Sequence, residues 1–536
     1  MKYKKYKLYS NCLQCFISVV LVLGIFFRFV NLDQKAYWGD ETATSLRISG
    51  YRFAELKQVV LRGEEMSVKN LQEYQYPNSA KGLSDLFKGL AIEEPQLPPF
   101  YFMMVRFWVQ WFGNSVAVTR SFSAVVSLLA FPCIYWLCQE LFESSLTGWV
   151  AMALIAISPF HVLYAQEARP YSLWTVTILL SSAALLRAIR LKTKLSWSVY
   201  AAALALGIYT SVLSGLVALG HGIYVVAHER FRFSKTVMAY LCASLTGLLL
   251  FLPWVVAIIP NFSSADGRTS WTQTIVPLTS LVKTWILNLS RIFFDLNDIF
   301  RYRNLFLYIV IITLVVYSVY FLYSQTQKRV WLFILTLIGV TALAFVLPDF
   351  ILGGRRSSVI RYLIPCYLGI QIAIAYLLAT KITLMPVKLW RQKLWQLVTV
   401  ALISSGVVSC AVISQTETWW YKYREIYDPV VAKIINQSAH PLVISPWFNL
   451  ITLNHVLAPQ VRIQDIRQQI ELNSLEKSFS DVFVHNSKET LEVLLKKNPS
   501  YRIEKIYSWK RQIEPVHTTQ TTLWKLAKEA EINNNK

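Results

Sequence analysis

The chain has 536 residues, 54% of them hydrophobic and only 16% charged, with a mean hydropathy of +0.40. Soluble domains carry about 25% charged residues, so a wholly soluble protein is excluded. The net charge of +22 does not point to nucleic acid, because Lys and Arg lie mostly in short loops between apolar runs and there is no basic aromatic soluble module. The pattern is that of a polytopic membrane protein facing anionic lipid.

A basic start, "MKYKKYK", precedes the apolar run Cys12–Val30. The run is long and lacks a small-residue cleavage site, so it reads as an uncleaved first span with a cytoplasmic N-terminus. Asn31–Gln96 follows as a long external loop containing acids and short helical patterns. "LPPFYFMMVRFWVQWFG" is rich in aromatics and carries Arg106 mid-run, which suits an interfacial or tilted helix better than a span. Further candidate spans are Ser115–Leu137, Leu146–Ile157, Tyr171–Ile189, Trp197–Tyr209, Val212–Ala227, Thr236–Ile259, Asn304–Tyr323, Val330–Leu347, Tyr362–Ala379 and Leu394–Ile413. At about 20 apolar residues per span the total is about eleven to thirteen.

From Tyr171 onward a basic segment follows every second span: "RAIRLKTK", "HERFRFSK", "SQTQKR" and "KITLMPVKLWRQK". The positive-inside rule places these in the cytoplasm. The connectors Gln166–Pro170, Pro260–Arg301 and Pro348–Arg361, and everything after Ser414, then lie outside. All seven cysteines fall in or beside apolar runs, which argues against a disulfide framework. From about Trp419 the pattern changes. "YREIYDPVVAKIINQ" reads as a helix, "PLVISP" and "DVFVH" as strands, "SKETLEVLLKKNP" as a helix capped by Ser487, and "YRIEKIYSW" and "TTLWKL" as strands. The expected organisation is a membrane domain over 1–418, with an acid-bearing external loop at 31–96, and a small external α/β domain over 419–536.

Four external groups carry candidate chemistry. Asp40 and Glu41 follow Tyr37-Trp38-Gly39 just beyond the first span; adjacent acids also suit a plain helix N-terminus. "SPFHVLYAQEARPYSL", Ser158–Leu173, packs His161, Gln166, Glu167 and Arg169 into one connector. "GGRRSSVIRYLIP", Gly353–Pro365, sets Arg355, Arg356 and Arg361 on the external side, where arginines are disfavoured without a partner. Arginine forks fit phosphates, so a lipid-linked phosphate is the natural ligand. "EEPQLPPFYF" adds Glu94 beside a proline-started helix. No His/Asp cluster has metal-ligand spacing, so no obligatory metal or other cofactor is expected.

These residues occur in a familiar order. An acid pair follows the first span, then E-P-Q-x-P-P-x-Y, R-S-x-S-A at Arg120–Ala124, S-P-F-H-x-x-Y-x-Q-E-A-R-x-Y-S-L, and R-Y-L-x-P at Arg361–Pro365. Over roughly Leu8–Thr380 the chain resembles the bacterial GT-C membrane glycosyltransferases of the protein O-mannosyltransferase and aminoarabinose-transferase type. The resemblance implies inverting transfer of a sugar from a polyprenyl-phosphate donor to an acceptor hydroxyl on a lipid, glycan or protein, at the outer face of the cytoplasmic membrane. It implies Asp40 as general base with Glu41 beside it, a second polar arm at Glu167 and Arg169, and donor phosphate near Arg361 and Tyr362. Two positions depart from the pattern: relatives carry His where Leu97 stands, and Y-T-H-Y where this chain reads Tyr209-Thr210-Ser211-Val212. Two other classes use overlapping features. A polymerase or ligase of polyprenyl-linked glycans would also want external arginines. A transporter or flippase would want mid-bilayer acids or an inverted repeat, and the acids here cluster in loops.

Overall fold

A computed structural model describes residues 2–61, 65–261, 269–297, 301–383, 389–465, 479–486, 491–492, 501–515 and 517–528. The chain divides into two compact units, one formed by residues 1–32, 90–104 and 117–415, the other by 33–89, 105–116 and 416–536. Its helices in chain order are α1 (Lys2–Phe29), α2 (Gly39–Ser49), α3 (Phe53–Val60), α4 (Val68–Gln72), α5 (Leu83–Glu93), α6 (Phe100–Phe112) and α7 (Val116–Ser127). Next come α8 (Ala130–Phe142), α9 (Ser145–Ala156), α10 (Pro159–Ala165), α11 (Tyr171–Leu191), α12 (Lys194–Thr210), α13 (Ser214–His228) and α14 (Lys235–Ile258). The last are α15 (Leu278–Arg291), α16 (Leu305–Gln325), α17 (Lys328–Ile351), α18 (Ile364–Thr383), α19 (Leu389–Ser414), α20 (Asp428–Ile435) and α21 (Trp447–Leu453).

The first unit is helical, and every apolar run read from the sequence forms a helix in it. Among the described residues seven helical segments, one of them α7 with α8, are long and apolar enough to cross a membrane, and α9 with α10 makes an eighth if that pair, bent by 62°, is one broken span. Gln14–Phe29 and α13 are shorter apolar helices, and α12 has 17 residues. The aromatic α6 has 13 residues, a length of about 20 Å against the ~30 Å hydrocarbon core, in keeping with an interfacial rather than spanning helix.

The bend between α9 and α10 has a specific cause. Pro159 opens α10 and ends the preceding hydrogen-bond ladder, which strands carbonyls at the end of α9. Arg28, fully buried in α1, supplies the missing donors: it bonds Ala156 O at 2.5 Å, Ile155 O at 3.0 Å, Gly24 O at 2.7 Å and Ser127 Oγ at 3.1 Å. Gly24 permits this approach, since a Cβ there would lie 2.6 Å from Ala156 O. A guanidinium in the first span therefore acts as the cap of a broken helix.

The second unit is built on one six-stranded sheet, in the order β1-β3-β2-β4-β6-β5. The strands are β1 (Met66–Ser67), β2 (Pro441–Ser445), β3 (Arg462–Asp465), β4 (Asp481–His485), β5 (Tyr501–Glu514) and β6 (His517–Lys528). β2 is central, parallel to β3 and β4 on either side; β6 and β5 continue antiparallel. Alternation along β2 sends Leu442 and Ile444 to one core and Val443 to the other, as expected for a strand covered on both faces. β1 comes from the first external segment and pairs with β3 through Met66 and Ile463.

That pairing changes the organisation read from the sequence. Residues 33–89 do not stand apart as a loop of the membrane part; they belong with 416–536 in one folded unit. Leu46, Leu56 and Leu71 are fully buried in the same core as Val431, Ile435, Val443 and Ile463. Each such leucine gains about 1.5–3 kcal/mol by leaving water, and the short strand β1 covers an edge that would otherwise be open. Arg106, unexplained in the sequence, donates to Ile48 O at 2.6 Å and Lys81 O within this unit. The helix expected over Tyr423–Gln437 is confined to α20, because Pro429 sits in its first turn and fixes its start. The helix expected from Ser487 lies almost wholly outside the described residues.

Candidate functional site

In the second unit, α2 begins at Gly39, and Asp40 and Glu41 occupy its first turn, where the helix dipole favours acids. The structure then separates the two. Glu41 is fully buried and forms a 2.7 Å ion pair with Lys422, whose side chain is equally buried. Lys422 Nζ also donates to Ala36 O at 2.7 Å. Asp40 is half-buried, and its own carbonyl accepts from Thr44 Oγ1 at 3.2 Å. The aromatics before the acids are anchored: the Tyr37 hydroxyl meets Ser45 Oγ at 2.6 Å, its ring packs on His455, and Trp38 stands edge-on to Tyr421.

Behind this turn lies a second acid pair that sequence reasoning missed. Glu425 Oε1 accepts from the Gly39 N–H at 3.2 Å, while Glu425 Oε2 is buried with no hydrogen-bond partner among the described residues. Burial first, then the neighbouring Asp428 and, more weakly, Asp40, push the Glu425 carboxyl up to about 8. Burial likewise raises Asp428 to about 7, against a hydrogen bond from Thr452 that lowers it. Arg424, exposed and stacked over Phe448 and Tyr423, pulls Glu425 the other way. The signal for these groups was present as "YKYREIYD", charges interleaved with aromatics, but nothing linear ties Glu425 to Gly39, 386 residues earlier.

In the first unit, the connector between α10 and α11 and the segment before α18 meet. Arg361 lies in a short 3-10 turn, with its guanidinium 5.8 Å from the Tyr171 ring, 5.9 Å from Trp271 and 5.8 Å from Tyr362. Arg169 shares the Tyr171 ring at 6.0 Å, and Arg355 shares Trp271 at 5.2 Å. Three guanidinium groups are thus gathered on two rings. Arg355 is further fixed by Nε–H to Trp271 O at 3.0 Å and by its N–H to Thr272 O at 2.8 Å. Tyr362 stacks on Phe345. Trp271 was not singled out in the sequence, since it lies in a connector of no marked pattern.

The remaining nominated residues lie in the same unit. Arg356 is bound by Asp349 at 3.2 Å and by Gly353 O at 2.9 Å. The same carboxylate accepts from Arg356 N, Ser357 N and Ser357 Oγ. Gln166 Nε2 donates to Phe27 O and Val30 O, both at 2.8 Å, closing the end of α1. His161 Nε2 meets Gln371 Oε1 at 2.9 Å in a buried pair. Glu167 is fully buried, and its carbonyl accepts from the Arg169 N–H at 2.8 Å. Glu94 is buried in the turn before Pro98 and Pro99, its carbonyl accepting from Leu97 N. Among the described residues no group of three or more His, Cys, Asp or Glu side chains is placed to hold a metal ion.

Comparison with known proteins fits this architecture. Residues 96–256, which include the connector carrying Gln166 to Arg169, match the family described as dolichyl-phosphate-mannose-protein mannosyltransferase. The structure of ArnT from Cupriavidus metallidurans in the apo state aligns with a TM-score of 0.55 at 14% identity, covering 96% of this chain and 98% of that one. The same protein bound to undecaprenyl phosphate aligns with a TM-score of 0.52 at 12% identity, covering 95% and 98%. No curated protein matches by sequence. The chain is a polytopic helical membrane protein of the GT-C fold, and its residues 96–256 match the mannosyltransferase family within that fold.

Proposed function

We propose that the chain is a membrane glycosyltransferase that moves a sugar from a polyprenyl-phosphate donor to an acceptor hydroxyl at the outer face of the cytoplasmic membrane. The observation that carries this reading is the gathering of Arg169, Arg355 and Arg361 on Tyr171 and Trp271. Guanidinium groups seated on rings are held in fixed planes, the arrangement that fits phosphate oxygens through forked N–H donors. Undecaprenyl phosphate is the ligand of a protein that shares the fold.

In the proposed step the acceptor oxygen forms a bond to the anomeric carbon. The bond from that carbon to the phosphate oxygen breaks, and its electron pair leaves with the polyprenyl phosphate. The hydroxyl proton passes to the Asp40 carboxylate, and the arginines stabilise the charge on the leaving phosphate. Attack from the face opposite the leaving group gives inversion. Asp40 takes the role of base because Glu41 is committed to Lys422. Arg361 is the principal phosphate contact, with Arg355 and Arg169 beside it; Tyr362 orients Arg361. The acceptor is a lipid, glycan or protein hydroxyl.

The test uses the full chain in detergent with a polyprenyl-phosphate-linked hexose, following release of polyprenyl phosphate. Asp40→Asn is expected to lose about 10²–10⁴ of turnover while still retaining the donor lipid, as loss of a general base does. Undiminished turnover in Asp40→Asn overturns the assignment of the base. Undiminished donor retention in Arg361→Ala overturns the assignment of the phosphate site.

A further inference from the structure

Helix α11 runs from Tyr171, in the arginine group, to Leu191. Nineteen residues separate Tyr171 from Arg190, about 28 Å at 1.5 Å per residue, so Arg190 marks the far end of a span. At that end α8, α11, α13 and α17 enclose a cavity of about 130 Å³, room for several waters. Its polar lining is Glu140, Arg190, Tyr224, His228 and Arg329; its apolar lining includes Leu186 and Val330.

The acids here hold the arginines in place without exhausting them. Glu140 accepts from Arg190 Nε and Nη2, both at 2.9 Å. Glu143 accepts from Arg329 Nη2 at 2.7 Å. A guanidinium has five N–H groups, so most remain available at both residues. Tyr224, only 2% exposed, and His228 stack their rings at 5.6 Å on the cavity wall. Residues with N–H and O–H donors therefore line an open space beside aliphatic walls. Three of the chain's basic segments, "RAIRLKTK", "HERFRFSK" and "SQTQKR", also end at this face.

We propose that this cavity binds the phosphodiester of an anionic lipid headgroup, in the leaflet opposite the arginine group on Tyr171 and Trp271. The phosphate takes donors from Arg190, Arg329, His228 and Tyr224, and the glycerol carbons cover Leu186 and Val330. A free phosphate satisfies the same donors but leaves the aliphatic walls wet, so lipid is the better fit. Basic pockets between helices at the anionic face of a membrane have the matching surface potential.

The full chain is reconstituted in nanodiscs of phosphatidylcholine, with and without phosphatidylglycerol. Thermal unfolding by tryptophan fluorescence and lipid retention by native mass spectrometry are both read. A ligand that binds only the folded state raises Tm. The wild type is expected to gain several degrees and retain phosphatidylglycerol. Arg190→Gln/Arg329→Gln is expected to lose both effects, and Arg230→Gln/Arg232→Gln, outside the cavity, to keep them. Val330→Phe fills the cavity with all charges intact and is expected to lose both, which covers the case of a double variant that does not fold. An unchanged response in Val330→Phe overturns the proposal, as does equal loss in the Arg230/Arg232 control. A rise given by inorganic phosphate alone in phosphatidylcholine discs assigns the site to free phosphate and overturns the lipid assignment. None of these readouts involves sugar transfer.

Discussion

Replacing Lys422 with methionine removes the cation 2.7 Å from the Glu41 carboxylate, which is buried away from water. Both side chains of the Glu41–Lys422 pair are 0% exposed. An exposed pair of this kind is worth at most about 1 kcal/mol, but a stranded buried charge costs about 3–5 kcal/mol. In the variant, Glu41 escapes the full penalty by taking up a proton. The cost of holding that proton at pH 7, against an ordinary carboxyl value near 4.5, is about 2.5 × 1.36, or roughly 3.4 kcal/mol. The sign follows from linkage. Glu41 in the variant has a raised folded value, so its contribution is intact below about pH 4.5 and is lost as pH rises. The deficit relative to wild type is therefore expected to be under about 1 kcal/mol at pH 5 and roughly 3.4 at pH 7. For a unit of this size that is a fall in Tm of about 7–14 °C at pH 7. The assay is thermal unfolding of the full chain by tryptophan fluorescence between pH 5 and 8. Lys433→Met, which breaks the surface pair with Glu417, serves as the control. A Lys422→Met deficit no larger than the control's, or one that does not change with pH, refutes the claim that Glu41 is a buried, committed partner.

Glu425→Gln is expected to be more stable than wild type, by a margin that grows from about pH 4.5 to about pH 8, because over that range the buried, acid-flanked wild-type carboxyl holds a proton that the unfolded chain releases; the same pH series of Tm values checks it. Asp349→Ala strips the acceptor from two backbone N–H groups, the Ser357 hydroxyl and Arg356, and should lower Tm by several degrees, whereas Arg361→Ala should cut donor turnover with little change in Tm. Gly24→Ala puts a Cβ 2.6 Å from Ala156 O and is expected to cost about 1–3 kcal/mol through displacement of α1, measurable as a lower Tm.

Much of the membrane part was legible from apolar run lengths, since a bilayer imposes the same span on every helix. The break at Ser158-Pro159 was legible only as a proline, because its stabilising group, Arg28, lies 128 residues away from the Ala156 carbonyl it caps. The motif residues were also visible, yet a motif lists residues without assigning work. Asp40 and Glu41 look equivalent in sequence; a lysine 381 positions later, bound to Glu41, distinguishes them. Arg355 and Arg356 look equivalent too, and differ because Asp349 takes one while Trp271 seats the other. β1 was invisible as a strand, being two residues long and defined solely by its partner β3.

Joining residues 33–89 to the end of the chain in one sheet has a consequence for biogenesis. Glu41 leaves the ribosome 381 residues ahead of Lys422, which at about 5–20 residues per second is a wait of about 20–75 s. Throughout that interval β1 lacks the strand it pairs with and Leu46, Leu56 and Leu71 lack most of their core. Nascent chains that stop short of Lys422 therefore lack the cation that pairs with Glu41, and that ion pair forms only in the final stage of translation.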